Sequence, residues 1–302
     1  MTESPANSPF DLDNDAAYRA WRERKLAGHP AGLGGLVVEV RDPRHLSEAE
    51  HAALLDRLRR ANMALYAGPA DPDRAIPLEL ARRFGATRLD DNWLSDDDGL
   101  SSLTVAGDGT RTGYIPYTDR PIRWHTDGYY NAPDRQIHAL LLHCVRPAAA
   151  GGENALMDHE VAYILLRDRD PGHVRALMGP DVLTIPEGTE ADGSPRPART
   201  GPVFSVDPAT GDLHMRYTAR KHNAQWKDDP AVREAVQALE AILEGDSPYI
   251  VRGRLEAGMG LISNNVLHDR AGFSDDPDAP RLLYRGRFFD RLAGTGVRER
   301  PA

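Results

Sequence analysis

A histidine and an aspartate that could hold a metal stand two positions apart in the segment Trp124-His125-Thr126-Asp127. On a β-strand, residues i and i+2 point to the same face, so His125 and Asp127 would present an imidazole and a carboxylate side by side. Such a pair also occurs by chance in surface turns. A second histidine, His268, lies near the end of the apolar-to-polar stretch 261–270. Two histidines and one carboxylate on one face of an octahedral metal leave three positions free, as in non-haem Fe(II) oxygenases.

Arginines recur with strand periodicity in the segment 281–287. Arg281, Arg285 and Arg287 would point one way, together with Leu283. Guanidinium groups on the inner face of a strand are costly without anionic partners. A dicarboxylate could supply such a partner through bidentate pairing. Taken alone, the segment could equally be a solvent-facing basic strand.

In this order, the three segments resemble the taurine dioxygenase (TauD/TfdA-type) family of Fe(II)- and 2-oxoglutarate-dependent dioxygenases. The family pattern of Trp-His-Thr-Asp, a distal His and Arg-x-x-x-Arg is matched by residues 124–127, His268 and Arg281-Leu-Leu-Tyr-Arg285. The stretch between His268 and Arg285 is slightly long for the family, which predicts a small loop insertion at 273–280. The resemblance covers residues 36–290.

The resemblance implies roles for individual residues. The implied Fe(II) ligands, which are also the catalytic residues, are His125, Asp127 and His268. Arg285 would hold the distal carboxylate of 2-oxoglutarate, and Arg281 would lie near the proximal carboxylate or the prime substrate. Asn154 stands where family members often have a threonine that hydrogen-bonds 2-oxoglutarate, and its amide can donate the same bond.

The implied reaction oxidises an unactivated C–H bond of a small polar molecule, most simply by hydroxylation. It would use Fe(II), 2-oxoglutarate and O2 and release succinate and CO2. Two other classes stay open: a metal-dependent hydrolase or isomerase on the same barrel, and a non-catalytic jelly-roll ligand-binding protein. The Arg281 and Arg285 pair argues against the first, and the intact triad argues against the second.

The prime substrate is expected to meet residues close to the triad and the arginines. The candidates are Tyr117, Tyr129, Tyr130, Asn131, Asn265 and Arg281. Because tyrosine faces attract cations and the acidic run Asp96–Asp98 precedes the motif, we expect an amine or quaternary ammonium. A carboxylate on the same molecule would be held by Arg281.

Composition and turn signals indicate the fold class. The 302 residues include 27 Gly and 23 Pro, and short strand-like runs separated by turns follow Pro121. This pattern favours a sandwich or barrel. We expect a mainly β fold with flanking helices (α+β), and the resemblance implies a double-stranded β-helix, or cupin-like jelly roll. The expected organisation is a flexible tail at 1–12 and a single domain at 13–302, with the core at 121–290 and a lid-like insertion at 186–202.

Three helices carry clear end signals. Ser47 and Glu50 form a capping box that opens a helix ending near Arg60. A short helix is expected over Pro77–Phe84. Asp229 as N-cap, followed by Pro230, opens a third helix that stops at Gly245.

Charge and hydropathy limit the partners. The net charge of −9 argues against nucleic acid. No apolar run reaches about 18 residues, so no membrane-spanning helix is expected. Residues 1–15 are polar and unlike a secretory signal, which favours a cytoplasmic location. We therefore expect a small-molecule substrate and no membrane partner; a homo-oligomer is left open.

Overall fold

The computed structural model describes residues 8–91, 94–189 and 194–300. The described residues form six α-helices, which are α1 (Asp15–Ala27), α2 (Glu48–Ala61), α3 (Ala75–Arg83), α4 (His159–Arg169), α5 (Pro171–Leu177) and α6 (Pro230–Glu244). No described helix combines the length and apolar character needed to cross a bilayer.

Short strands make up most of the remaining regular structure. In chain order they are β1 (Val37–Glu39), β2 (Met63–Ala67), β3 (Ser101–Leu103), β4 (Ile122–His125), β5 (Ala139–Arg146), β6 (Ala150–Gly151), β7 (Asn154–Met157), β8 (Leu183–Ile185), β9 (Gly188–Thr189), β10 (Pro195–Arg196), β11 (Arg199–Gly201), β12 (Phe204–Val206), β13 (Leu213–Met215), β14 (Gln225–Trp226), β15 (Val251–Gly253), β16 (Met259–Ser263), β17 (Leu267–Arg270), β18 (Phe273–Ser274) and β19 (Leu282–Phe288).

Two sheets form the core of the fold. The larger has the strand order β1-β2-β16-β5-β19-β3, and the smaller has the order β15-β7-β17-β4. Leucines of both sheets, including Leu142, Leu283 and Leu156, belong to one buried apolar cluster, so the two sheets pack face to face. The expected α+β class with a jelly-roll core is confirmed.

Two helices begin where the sequence signals them, and a third begins earlier. Ser47 and Glu50 form the expected capping box at the start of α2. Asp229 caps α6, which opens with Pro230. The helix expected over Pro77–Phe84 starts two residues earlier, at Ala75, because Asp73 Oδ1 accepts a hydrogen bond from the Ala75 backbone.

Two segments that the sequence analysis predicts to be irregular contain ordered residues. Phe10, expected in a flexible tail, is only 2% exposed and packs edge-on against Trp21 and Tyr163. The tail prediction is therefore wrong for Phe10, and residues 1–7 lie outside the described residues. Within 186–202, β9 pairs with β10 and β11 pairs with β8. Residues 190–193 of that insertion are also outside the described residues.

A buried cluster of charges joins α1, α4 and the C-terminal segment. Lys25 Nζ lies 2.5 Å from Asp158 Oδ2 and 2.7 Å from Glu160 Oε2, and these side chains are at most 2% exposed. Arg300 donates to both oxygens of Glu160 at 2.6 and 2.9 Å. Asn62 donates to Asp158 at 2.9 Å. Because each buried charge has an opposite partner, removing one partner leaves another charge uncompensated.

The cluster makes stability depend on pH. Burial alone would raise the pKa of Asp158 and Glu160, but Lys25 beside Asp158 and Arg300 beside Glu160 outweigh it, so both pKa values are lowered. Burial lowers the pKa of His159, which stands between them. All three groups bind protons more readily when unfolded. Their contribution to stability is complete above the unfolded pKa of His, about 6.5, and is lost progressively as pH falls from there through the lowered pKa values of the folded state.

We predict that Lys25→Met lowers the free energy of unfolding by about 3–5 kcal/mol at pH 7, because two buried carboxylates lose their shared cation. The difference from wild type should shrink as pH falls below about 4, where the carboxyls protonate. Urea unfolding followed by circular dichroism at several pH values measures both effects. Arg19→Met is the control, since its pair with Asp15 is 73% and 65% exposed. A loss in Lys25→Met no larger than in this control would contradict the prediction.

Candidate active site

The three predicted metal ligands come together at the pairing of two strands of the smaller sheet. In the antiparallel ladder of β17 and β4, His268 lies directly opposite His125. The ligand atoms of His125, Asp127 and His268 all lie within 4.8 Å of one another. His125 Nε2 is 3.6 Å from Asp127 Oδ1. Ligand atoms in neighbouring octahedral positions at about 2.1 Å from an ion lie about 3 Å apart, which is close to this spacing.

Backbone carbonyls fix the tautomer of both imidazoles. His125 Nδ1 is 2.9 Å from the carbonyl of Arg123, and His268 Nδ1 is 2.9 Å from that of Val266. Since a carbonyl only accepts, Nδ1 carries the proton and the neutral ring leaves the Nε2 lone pair for a metal. Burial and the neighbouring His125 lower the pKa of His268 to about 4, which keeps it neutral at neutral pH.

Asp127 is positioned through its backbone. Asn265 accepts from the Asp127 N–H at 2.8 Å and donates to the Asp127 carbonyl at 2.9 Å. The next residue, Gly128, has φ +69°, and a Cβ there would lie 2.4 Å from Ile137 Cγ1. Only glycine fits this close turn without strain. The turn and the Asn265 amide together hold the carboxylate beside the histidines.

The electrostatics of Asp127 fit a cation. Burial alone would raise its pKa, but Arg285 and His125 reverse the effect and hold the pKa well below its usual range. Arg285 Nη1 lies 3.4 Å from Asp127 Oδ2. Among the described residues, this buried oxygen accepts no hydrogen bond. A buried carboxylate oxygen without a donor, next to two imidazole lone pairs, suits a divalent metal with nitrogen and oxygen ligands.

The triad opens into a cavity of about 580 Å³ between the two sheets. This volume lies in the range of small-molecule sites, about 300–1,000 Å³. Its charged lining is strongly basic. Three aspartates, Asp90, Asp127 and Asp269, face eight arginines, which are Arg135, Arg196, Arg199, Arg220, Arg270, Arg281, Arg285 and Arg287.

Some of these arginines have acidic partners and others have none. Arg287 Nη2 lies 2.5 Å from Asp90 Oδ2, and Arg135 is 3.6 Å from the same carboxylate. Arg285 contacts Asp127. In the described part of the chain, the remaining five make no ion pair with an acidic group; they are Arg196, Arg199, Arg220, Arg270 and Arg281. The cavity thus offers unneutralised positive charge.

Two of the unpaired arginines lie together around Phe273. Arg270 and Arg281 stand 4.8 and 5.0 Å from the centre of its ring. Phe273 belongs to β18, within the predicted loop insertion, and β18 pairs with Gly151. A Cβ at Gly151, where φ is +76°, would lie 2.4 Å from the carbonyl of Gly272. The Gly-Gly sequence therefore allows the close strand contact that brings Phe273 between the arginines.

Asn154 follows this Gly-Gly sequence and lines the cavity. Its amide donates to the Asp269 carbonyl at 2.6 Å, an interaction that ties β7 to β17 beside His268. A Cβ built on Gly152, two residues before Asn154, would lie 3.9 Å from Arg281 Nε. The backbone that leads into Asn154 therefore passes close to that arginine.

The predicted substrate residues separate into two groups. Tyr117, Tyr129, Tyr130 and Asn131 line the cavity, as does Arg281. Asn265 does not. It is 4% exposed, and its amide is engaged by the backbones of Asp127 and Ile137. The expected substrate contact is replaced by a positioning role.

The acidic run proposed to attract a cationic substrate lies elsewhere. Asp96 pairs with Arg74 at 2.9 Å and with Arg111 at 2.6 Å, and Asp98 pairs with Arg74 at 2.6 Å. None of 96–98 lines the cavity. Asp96 and Asp98 are neutralised by arginines, so the acidic run gives no support to an amine substrate, although the tyrosines do line the cavity.

Several cavity residues were missed from the sequence. Arg270 stands two positions after His268 on β17, and strand periodicity could have placed it on the same face. Arg196, Arg199 and Arg220 come from loops and short strands whose position depends on distant contacts, so no local signal marks them.

This fold and triad define a jelly-roll oxygenase of the non-haem metal type. The chain belongs to the taurine catabolism dioxygenase TauD, TfdA family, which matches residues 23–287. It is similar to a uridine-5'-phosphate dioxygenase of Amycolatopsis sp, with 34% identity over 283 residues, covering 84% of this chain and 96% of the relative. A uridine-5'-phosphate dioxygenase of Streptomyces sp is 32% identical over 199 residues, covering 63% of this chain and 69% of the relative.

Solved structures share the fold at low sequence identity. Asparagine oxygenase in complex with Fe(II), 2S,3S-3-hydroxyasparagine and succinate superposes with a TM-score of 0.58 at 17% identity, covering 96% of this chain and 89% of that one. AAD-2 in complex with Mn(II) and N-oxalylglycine gives 0.58 at 14% identity, covering 85% and 97%. The protein is accordingly an oxidoreductase, a dioxygenase of the Fe/2-oxoglutarate type. The hydrolase and binding-protein alternatives are set aside.

We predict that His125→Ala and His268→Ala each abolish iron binding and turnover while the protein stays folded, because each removes one of three ligands. Iron content by mass spectrometry and the thermal transition measure the two effects. His222→Ala, which removes an exposed histidine, is the control. Full iron loading with activity in either ligand variant would contradict the triad.

Proposed function

We propose that this protein uses Fe(II), 2-oxoglutarate and O2 to oxidise a C–H bond of a nucleoside 5'-monophosphate, with uridine 5'-phosphate as the first candidate. The observation that carries the proposal is the excess of arginines over aspartates in the cavity. Such a cavity favours substrates with several negative charges and disfavours cations.

The triad residues would hold the iron through their free Nε2 atoms and the carboxylate. When bound, Fe(II) with 2-oxoglutarate and O2 supplies oxidation of a C–H bond coupled to the formation of succinate and CO2. The chain's own contribution is to orient the two organic molecules and to limit the access of water. Tyr129 supports this role, since its ring meets the His125 ring edge-on at 6.5 Å and its hydroxyl accepts from Asn223.

The positions of Arg281 and Arg285 support exchanging the two roles that the sequence resemblance implied for them. Arg285 contacts the metal ligand Asp127, so a carboxylate beside Arg285 would lie next to the metal. Arg281 lines the same cavity directly before β19 and precedes Arg285 by four positions, about 13 Å of extended chain. We therefore assign the distal carboxylate of 2-oxoglutarate to Arg281, with Arg270 and Asn154 nearby, and the metal-bound end to Arg285.

The phosphate of the prime substrate is suggested by the two uridine-5'-phosphate dioxygenases and by the basic cavity. A phosphate monoester carries nearly two negative charges at neutral pH and accepts several hydrogen bonds. It is thus a better match for unpaired guanidinium groups than an amine is.

We predict that the iron-loaded protein forms succinate from 2-oxoglutarate at a rate that rises clearly when uridine 5'-phosphate is added. Succinate quantified by mass spectrometry, with and without the nucleotide, measures the coupling. Betaines and amino acids serve as the comparison set. If they stimulate succinate formation and the nucleotide does not, the proposed substrate is wrong while the reaction class stands.

We predict that Arg281→Gln raises the KM for 2-oxoglutarate by at least about 30-fold, because a buried charged partner is worth about 2–5 kcal/mol. Discrimination between 2-oxoglutarate and 2-oxopentanoate, which lacks the distal carboxylate, should collapse in this variant. Arg285→Gln should keep that discrimination, and Arg233→Gln, an exposed arginine on α6, should match wild type. Lost discrimination in Arg285→Gln alone would restore the order expected from the sequence.

A further inference from the structure

Two residues of the insertion at 186–202, Arg196 and Arg199, line the cavity. Along β19 the cavity passes from Arg281 to Arg285 to Arg287, and Arg287 donates to the Tyr130 hydroxyl at 2.7 Å. Arg196 of the insertion stands 5.9 Å from the centre of the Tyr130 ring. Arg281 lies directly before β19, and six positions of extended chain, about 20 Å, separate it from Arg287. The insertion therefore adjoins the end of the cavity remote from the proposed site of the distal carboxylate.

Two arginines of the insertion present buried donors that lack acceptors. In the described part of the chain, Arg196 Nη1 and Arg199 Nε are both buried and make no hydrogen bond. Neither side chain has a carboxylate partner there. A buried donor without an acceptor costs about 1–3 kcal/mol, and more for a charged group. Two such guanidinium groups lining one cavity indicate that an anionic ligand supplies the missing acceptors.

The protein holds the side chain of Arg196 and the backbone of Arg199 in place. Arg196 Nη2 donates to the Pro186 carbonyl at 3.1 Å, and a Cβ on Gly188 would lie only 2.7 Å from the same nitrogen. The backbone of Arg199 accepts from Arg216 Nη1 at 3.3 Å.

Arg216 connects the insertion to the metal loop. Its guanidinium donates to the carbonyls of Arg199, Gly201 and Tyr129, and to that of Leu183 on β8. Tyr129 is two residues after the ligand Asp127. The donors of Arg196 and Arg199 are thus built on a backbone fixed relative to the metal ligands, as a preorganised site requires.

Two other arginines near this end already have an acidic partner. Arg287 and Arg135 share the Asp90 carboxylate. An incoming anion would have to compete with Asp90 for them, but it meets no such competitor at Arg196 or Arg199.

We propose that Arg196 and Arg199 form the subsite for the phosphate group of the prime substrate, separate from the arginines that hold 2-oxoglutarate. The inference rests on the proposed function. The planar guanidinium fork matches phosphate oxygens in a bidentate way, and two forks can divide the oxygens of a monoester. Arg196 and Arg199 then make the protein select a nucleotide over the nucleoside that lacks the phosphate.

The test compares uridine 5'-phosphate with uridine in Arg196→Gln, Arg199→Gln and the double variant. Each single change should raise the KM for the nucleotide by about 10- to 100-fold, because charge-assisted hydrogen bonds are lost. The KM for 2-oxoglutarate and kcat/KM for uridine should stay within about twofold. Gly188→Ala, which displaces Arg196 without removing it, should produce a smaller change of the same sign, and Arg233→Gln should produce none.

Binding is measured separately from turnover, by anaerobic calorimetric titration of the Fe(II)- and 2-oxoglutarate-loaded protein with uridine 5'-phosphate. If the wild type binds the nucleotide and the variants lose it, the subsite stands even where no succinate forms, and the proposed reaction alone fails. If wild type turns over the nucleotide and the variants bind it equally well, the subsite is wrong and the proposed function stands. If wild type neither binds nor oxidises it, the phosphate subsite is overturned together with the nucleotide assignment.

Discussion

The antiparallel register that places His268 opposite His125 is the constraint on which the site depends. Directly opposed residues in such a ladder have side chains on the same face and Cβ atoms about 5 Å apart. Their rings meet with centroids 4.2 Å apart, and each Nδ1 faces a backbone carbonyl. A shift by one residue would turn His268 to the other face, so any change that alters the register would separate the two imidazoles and break up the triad.

The position of Asp127, the third residue of the triad, depends on a different, long-range contact. Asn265 has φ 50°, a left-handed conformation that asparagine tolerates better than most residues. This turn directs its amide at the Asp127 backbone. The preceding residue, Asn264, bonds to Asn62, which in turn donates to Asp158 of the buried charge cluster. The polar core and the backbone of Asp127 are therefore connected through the two consecutive residues Asn264 and Asn265.

The sequence predicts the parts of this arrangement that follow from local rules. The capping box of α2, the Asp229 cap of α6 and the two-residue spacing of His125 and Asp127 all depend on neighbours within a few positions. The role of Asn265 does not, because it requires a hydrogen bond to a residue 138 positions away. The burial of Phe10 likewise depends on Tyr163, which is brought to it only when α4 packs. Strand periodicity predicts that Arg281 and Arg285 point the same way. It does not predict which of them holds the distal carboxylate, because that depends on which arginine contacts Asp127.

Arginine suits the buried positions of the cavity because it stays charged there. Burial, with the nearby charge of Arg281, lowers the pKa of Arg270 to about 10, which still leaves it charged at neutral pH. A lysine begins near 10.4, and the same lowering would bring its pKa to about 8, within reach of physiological pH. Arg270 also keeps its position without any acid, since the carbonyls of Thr118 and Arg120 accept its hydrogen bonds. The chain as a whole has a net charge of −9, yet only three aspartates line the cavity beside eight arginines. A negatively charged protein can therefore enclose a positive cavity. Backbone carbonyls that accept from a buried guanidinium, as at Arg270, hold it in place without neutralising its charge.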